Sequence, residues 1–138
     1  MPHYSIYKLV SDSTEDCYVG STKLDLKTRL SCHKSAYNRY KDGNNHYISA
    51  YDILANDDVE IVLIETVDEV KNVFMRERYH IDVNQSVNRN KPARTPKQYY
   101  VDNKERISLQ KKVYYVKNRE KIKERAKRYY HHNKWLKK

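Results

Sequence analysis

Most of the Leu and Ile able to build a hydrophobic core lie in the first ninety residues of this chain, and the remainder is written mainly in Lys, Arg, Asn and Tyr. Charge divides at the same place. Residues 1–90 carry 11 Lys and Arg against 14 Asp and Glu, residues 91–138 carry 17 against 4, and the whole 138-residue chain has a net charge of +10. One folded domain with a basic appendage fits this division, and two separate cores do not. The segment NKPARTP holds Pro92 and Pro96, each of which disfavours helix at the preceding residue, so it marks the joint. The expected organisation is a folded domain over 1–91, a linker over 92–98 and an extension over 99–138. No apolar stretch approaches the roughly 18 residues needed to cross a bilayer, so no membrane partner is expected. The opening MPHYSIYKLV lacks the pattern of a secretory signal, giving an expected intracellular location, in cytoplasm or nucleus. Cys17 and Cys32 fall in no CxxC or Cys/His ligand spacing and are expected as free thiols.

Within the folded part, Tyr4 to Leu9 and Asp16 to Gly20 read as two strands joined in a hairpin by the polar SDSTED run. Ser21 or Thr22 can cap a helix from about Asp25 to Tyr40, where Leu26, Leu30, His33, Tyr37 and Tyr40 recur at helical intervals, and Gly43 ends it. A short helix follows on Tyr47, Ala50, Tyr51 and Leu54. Val59 to Val67 is a third strand, apolar on both faces and therefore expected inside the sheet. A third helix runs from Asp68 to about Val83, with Val70, Val73, Phe74 and Ile81 on one stripe. The order ββααβα predicts an α+β fold, a small three-stranded mixed sheet flanked by helices.

The extension repeats itself. YYVDNKERI begins at Tyr99, YYVKNREKI at Tyr114 and YYHHNKWLK at Tyr129, with Asn103, Asn118 and Asn133 in the same phase. A 15-residue period spans four turns at about 3.75 residues per turn, so on a helix of 3.6 the tyrosine pairs drift by about 60° per repeat. They wind around the helix, and no heptad seam runs through them. A basic helical extension with little core of its own is expected.

Glu77 sits four residues after Val73 and four before Ile81, on the core-facing stripe of the third helix. A buried carboxylate needs a partner, which here is either a basic residue such as Arg29 or a metal or catalytic role. Arg29 and His33, four apart, share one helix face. Taken singly, each fits a structural part, the arginine snorkelling and the histidine hydrogen-bonded, and Tyr7 and Tyr18 fit strand packing.

Their joint arrangement is more specific. SIY at 5–7, ten intervening residues, YVG at 18–20, Arg29 with His33 in YVGSTKLDLKTRL and beyond, Glu77 in RERYHID and Asn88 in SVN resemble the GIY-YIG nuclease family in order, spacing and residue type. The resemblance covers about residues 4–91, with Ser5 where the family usually has Gly and Val19 where it often has Ile. It implies hydrolysis of DNA phosphodiester bonds with one divalent metal, Mg²⁺ or Mn²⁺, bound through Glu77. Arg29 would face the scissile phosphate, where a planar cation holds two oxygens as charge develops. Tyr7 and Tyr18 match the tyrosines from which the family draws its water-activating group, with Tyr7 assisted by His33 the preferred assignment. Asn88 matches an asparagine that orients the site, and Asn90 is the alternative register.

The extension is then read as DNA-binding. Lys104, Arg106, Lys111, Lys112, Lys117, Arg119, Lys121, Lys123, Arg125, Lys127 and Arg128 would contact phosphates, while Tyr114, Tyr115, Tyr129 and Tyr130 pack on sugars or bases. This organisation resembles standalone nucleases of the homing type, acting as a monomer or a transient dimer on DNA. The rival expectation is a noncatalytic nucleic-acid-binding protein that keeps the nuclease fold.

Overall fold

The structure is a computed structural model that describes residues 3–136. Met1 and Pro2 of the expected folded domain, and Lys137 and Lys138 of the expected extension, lie outside the described residues. Two compact units divide the chain, Met1–Ala93 and Arg94–Lys138.

In the first unit, β1 (Tyr4–Ser11) and β2 (Thr14–Thr22) form the expected hairpin, with Asp12 and Ser13 as its turn. The Asp58 carboxylate fixes that turn, accepting from the Ser11 hydroxyl at 2.5 Å and from the Asp12 amide at 2.8 Å. Helices α1 (Leu26–Lys41) and α2 (Tyr51–Leu54), strand β3 (Glu60–Val67) and helix α3 (Val70–Val83) complete the unit. The three-stranded sheet with flanking helices is the expected α+β fold. Several details differ from expectation.

The strand order is β2-β1-β3 and all strand pairs are antiparallel, so β1 is central and β3 lies at an edge. The apolar run of β3 suggested an internal position. At the edge, however, Val62 and Leu63 remain exposed, and β1 takes the centre because both of its faces are covered. Tyr7 and Leu9 pack with Tyr51, Ile53 and Leu54 on one face, and Ile6 packs with Val19, Val73 and Ile81 on the other. The mixed character of the sheet shrinks to a single parallel bridge between Cys17 and Ser86. There the chain leaving α3 runs beside β2, the Cys17 amide donating to the Gln85 carbonyl at 3.0 Å and the Val87 amide to the Cys17 carbonyl at 2.8 Å.

The cap of α1 is Asp25, which accepts from the Thr28 amide at 2.9 Å, and not Ser21 or Thr22. A carboxylate is equally suited to the free amides of a first turn and adds charge complementarity to the helix dipole. Gly43, at φ 78°, ends the helix as expected, its left-handed backbone freely open to a residue without Cβ. On α3, Val73 and Ile81 are buried, but Val70 and Phe74 are 50% and 55% exposed, so the apolar stripe is narrower than the sequence spacing implied. Cys17 is buried, Cys32 is exposed, and both are free.

The second unit holds α4 (Pro96–Asp102) and α5 (Lys104–Leu136). Helix starts within the segment expected as linker because Thr95 and Gln98 form a capping box and Pro96 occupies the first turn, where its missing N–H costs nothing. Asn103 ends α4, its side chain donating to the Tyr99 carbonyl at 2.9 Å. Asn118 makes the same bond to Tyr114 within α5 without breaking the helix. The tyrosine pairs at 99/100, 114/115 and 129/130 are exposed, and none of residues 94–134 is buried.

Candidate active site

The pairing register of the hairpin builds the site. Tyr7 on β1 stands opposite Gly20 on β2, and Tyr18 lies two residues earlier on the same face of β2. A Cβ at Gly20 would lie 2.7 Å from the Tyr7 hydroxyl oxygen and 3.2 Å from Tyr18 Cε1, so only glycine lets the Tyr7 ring lie across the strand and meet Tyr18. The two phenols converge on α1, where His33 meets each ring edge-on at 5.8 Å between centroids.

Tyr7 joins three groups into one bonded chain. Its hydroxyl lies 2.7 Å from His33 Nε2, and Arg29 Nε donates to it at 2.9 Å. With Arg29 filling one acceptor position, the arrangement that satisfies every group has the hydroxyl donating to a neutral imidazole. Electrostatics agree: burial, with the Arg29 charge adding to it, pulls His33 down to about 4 from its usual 6.5. Burial pushes Tyr7 up, opposed by the bond and charge of Arg29. Tyr18 is pushed up to about 12, first by burial and then by the neighbouring Tyr7 and Glu77. Of the two phenols, Tyr7 alone bonds directly to a cation and to an imidazole.

Glu77 comes to the same place from α3. Its carboxylate accepts from the Ser21 hydroxyl at 2.5 Å, is raised above the usual carboxylate range by burial, and feels the opposing pull of Ser21 and Arg29. No described Lys, Arg or His forms a salt bridge with it, so the ion pair with Arg29 entertained from sequence is not formed. Asn88 holds β2 in place, its side chain accepting from the Val19 amide at 2.9 Å and donating to the Val19 carbonyl at 2.8 Å. It continues by side chain the ladder that residues 85–87 make by backbone. Glu77, Tyr18 and Asn88 line a common cleft of about 470 Å³, which Asn90 also borders.

The donor set limits what metal could be held. Among the described residues no group of three or more His, Cys, Asp and Glu is arranged around a common point. Glu77 is a single hard oxygen ligand with one oxygen taken by Ser21, so it fits a hard divalent cation that draws its other ligands from water and substrate phosphate. Two contributors had no sequence assignment to the site: Gly20, whose role depends on strand register, and Ser21, considered only as a helix cap. The serine three residues after Tyr18 is on the opposite sheet face by alternation, and only the position of α3 over that face brings Glu77 to it.

An antiparallel sheet that carries two tyrosines on its hairpin, an arginine and a histidine on the following helix and a glutamate on the last one defines a nuclease-type domain. A sequence model of the GIY-YIG catalytic domain matches residues 3–91, and the chain belongs to that family. No curated protein and no solved structure matches it. No helix among the described residues is long and apolar enough to cross a membrane.

Proposed function

We propose that this chain is a divalent-metal-dependent DNA endonuclease of the homing type, with its catalytic site in the first unit and a DNA-binding helical extension in the second. The observation that carries the reading is the bonded chain Arg29–Tyr7–His33 beside a half-buried, unpaired Glu77 in a nuclease-family domain.

A phosphodiester is anionic and repels its nucleophile, so hydrolysis needs charge stabilised at phosphorus and a proton removed from water. Arg29 anchors its Nε on Tyr7 and retains its terminal nitrogens for phosphate oxygens. As water attacks phosphorus and the P–O bond to the leaving strand breaks, Tyr7 accepts the water proton while passing its own to His33 Nε2. A neutral imidazole is the form that can receive it, and the negative charge of an arriving phosphate opposes the burial that depresses His33. A divalent cation bound at Glu77 would neutralise charge on the nonbridging oxygens. Ser21 orients the Glu77 carboxylate, and Asn88 fixes the strand that carries Tyr18. One such site cuts one strand per event, so nicking is expected from a monomer.

Supercoiled plasmid incubated with the protein and Mg²⁺ or Mn²⁺ tests this directly. The parent should convert it to open circles, and Glu77→Ala should lose roughly 10²–10³-fold or more of that rate while still retarding DNA in a gel. Equal inactivity of both proteins with binding retained would instead favour a noncatalytic nucleic-acid-binding protein.

A further inference from the structure

The cleft lined by Glu77 and Tyr18 is lined as well by Tyr47, Ser49 and residues 88–92, and by none of Arg29, Tyr7 and His33. Two basic residues, Arg89 and Lys91, are among that lining, and they differ in a telling way. Lys91 is committed to Asp82, with its Nζ 2.5 Å from the carboxylate. Arg89 forms no salt bridge with any described residue. It is nevertheless held in position: its guanidinium lies 4.5 Å from the centroid of the Tyr47 ring, and its backbone amide donates to the Ser49 hydroxyl at 3.1 Å. A guanidinium resting on an aromatic face keeps its N–H donors at its rim, where they are available to a planar pair of acceptor oxygens.

We propose that this cleft provides a subsite for the nucleotide flanking the scissile phosphate, with Arg89 as a positioning residue that contacts the adjacent backbone phosphate. The inference rests on the nuclease reading. It adds a specific cation, on the segment that follows Asn88, to the surface that aligns the strand. A stationed and unneutralised guanidinium in a cleft that the candidate catalytic carboxylate also lines suits a polymer with anions at regular intervals. Tyr47 is the platform that fixes the guanidinium, and the Ser49 bond prevents residues 88–90 from swinging away with it.

The test uses the full chain with Arg89→Gln, Arg89→Lys and Tyr47→Leu. Binding of a fluorescent duplex oligonucleotide is measured without divalent metal over a range of salt, and plasmid cleavage is measured with Mg²⁺. Arg89→Gln should weaken binding by about 5- to 20-fold at low salt and flatten the dependence of log K on log salt by about 1. Arg89→Lys should retain the salt slope with weaker binding, and Tyr47→Leu should shift affinity in the same direction by less. The larger part of any cleavage defect should fall on KM. Because Arg89 is exposed, an unchanged unfolding midpoint is expected for the two Arg89 variants. Affinity and salt slope equal to the parent's in Arg89→Gln would overturn the subsite. If the parent binds DNA with an Arg89-dependent slope yet never cleaves, the nuclease reading falls and the phosphate contact stands. If the parent cleaves and Arg89→Gln is indistinguishable from it, the reverse holds.

Discussion

The Tyr7 hydroxyl is the point on which two otherwise unsatisfied groups depend. Replacing it by hydrogen in Tyr7→Phe removes the shared partner of Arg29 Nε and of the buried His33 Nε2, which should cost about 1–3 kcal/mol in urea unfolding. If Tyr7 relays the proton, cleavage under single turnover should fall by about 10²–10⁴-fold, and Tyr18→Phe should lose much less. His33 predicts a pH dependence of stability. Its folded pKa of about 4 lies below the usual 6.5, so between those values the unfolded chain binds a proton that the folded one refuses. The stabilisation is complete above pH 6.5 and is lost on descending to about 4, amounting to roughly 3 kcal/mol for this shift. Unfolding curves across that range should be steeper in pH for the parent than for His33→Gln. That Arg29 and His33 share one helix face and that Glu77 lies on the core-facing stripe of its helix was readable from helical spacing, whereas their grouping with Tyr7 and Tyr18 came from the family resemblance. The part played by Ser21 was not readable, since its partner lies 56 positions away and no local pattern encodes that contact.

At the scale of elements, what the pattern of side chains could not convey was strand order. A run apolar on both faces is ordinarily the mark of an inner strand, yet β3 is an edge whose Glu65 is tied down from α3 by Arg76 at 2.8 Å and His80 at 2.8 Å. Those bonds, with Arg76 the stronger influence and His80 next, hold Glu65 below the usual carboxylate range. A register shift between Ile6 and Tyr7 in the β1–β3 pairing further separates the outer residues of β3 from a simple alternation. The hairpin itself was legible, because its turn and flanking strands are local. Its consequence for the site was not: that Tyr7 lies against Gly20 follows from the register, which is set by which face of β1 finds a core. Gly20→Ala puts a methyl group 2.7 Å from the Tyr7 hydroxyl oxygen and 2.9 Å from its Cζ. Overpacking of this kind should destabilise by about 1–3 kcal/mol and displace Tyr7 from His33, so that activity falls by more than stability at the assay temperature would explain. Urea unfolding and cleavage assayed on the same preparations separate the two effects.

For the whole molecule, the separation of apolar and basic sequence has a thermodynamic consequence. Both core clusters belong to the first unit, and none of residues 94–134 is buried, so those residues contribute little hydrophobic free energy to the fold. The 15-residue period was legible as a helix without a seam because its tyrosine pairs drift around the axis, and the structure leaves those pairs exposed. What cannot be read from such a period is where the helix breaks, since Asn103 and Asn118 occupy the same phase and make the same side-chain bond, but only Asn103 ends a helix. An extension of this kind can leave stability nearly untouched and still dominate association with a polyanion. Truncation after Ala93 should therefore keep the unfolding midpoint close to that of the full chain. DNA affinity at low salt should fall, and the dependence of log K on log salt should flatten by about 0.9 for every phosphate contact removed. The cleavage rate at saturating DNA should survive, because every candidate catalytic side chain lies in the first unit. Binding and salt dependence identical to those of the full chain would mean that the basic helices contact no phosphates, and a collapsed unfolding midpoint would mean that the first unit's two clusters do not suffice as its core.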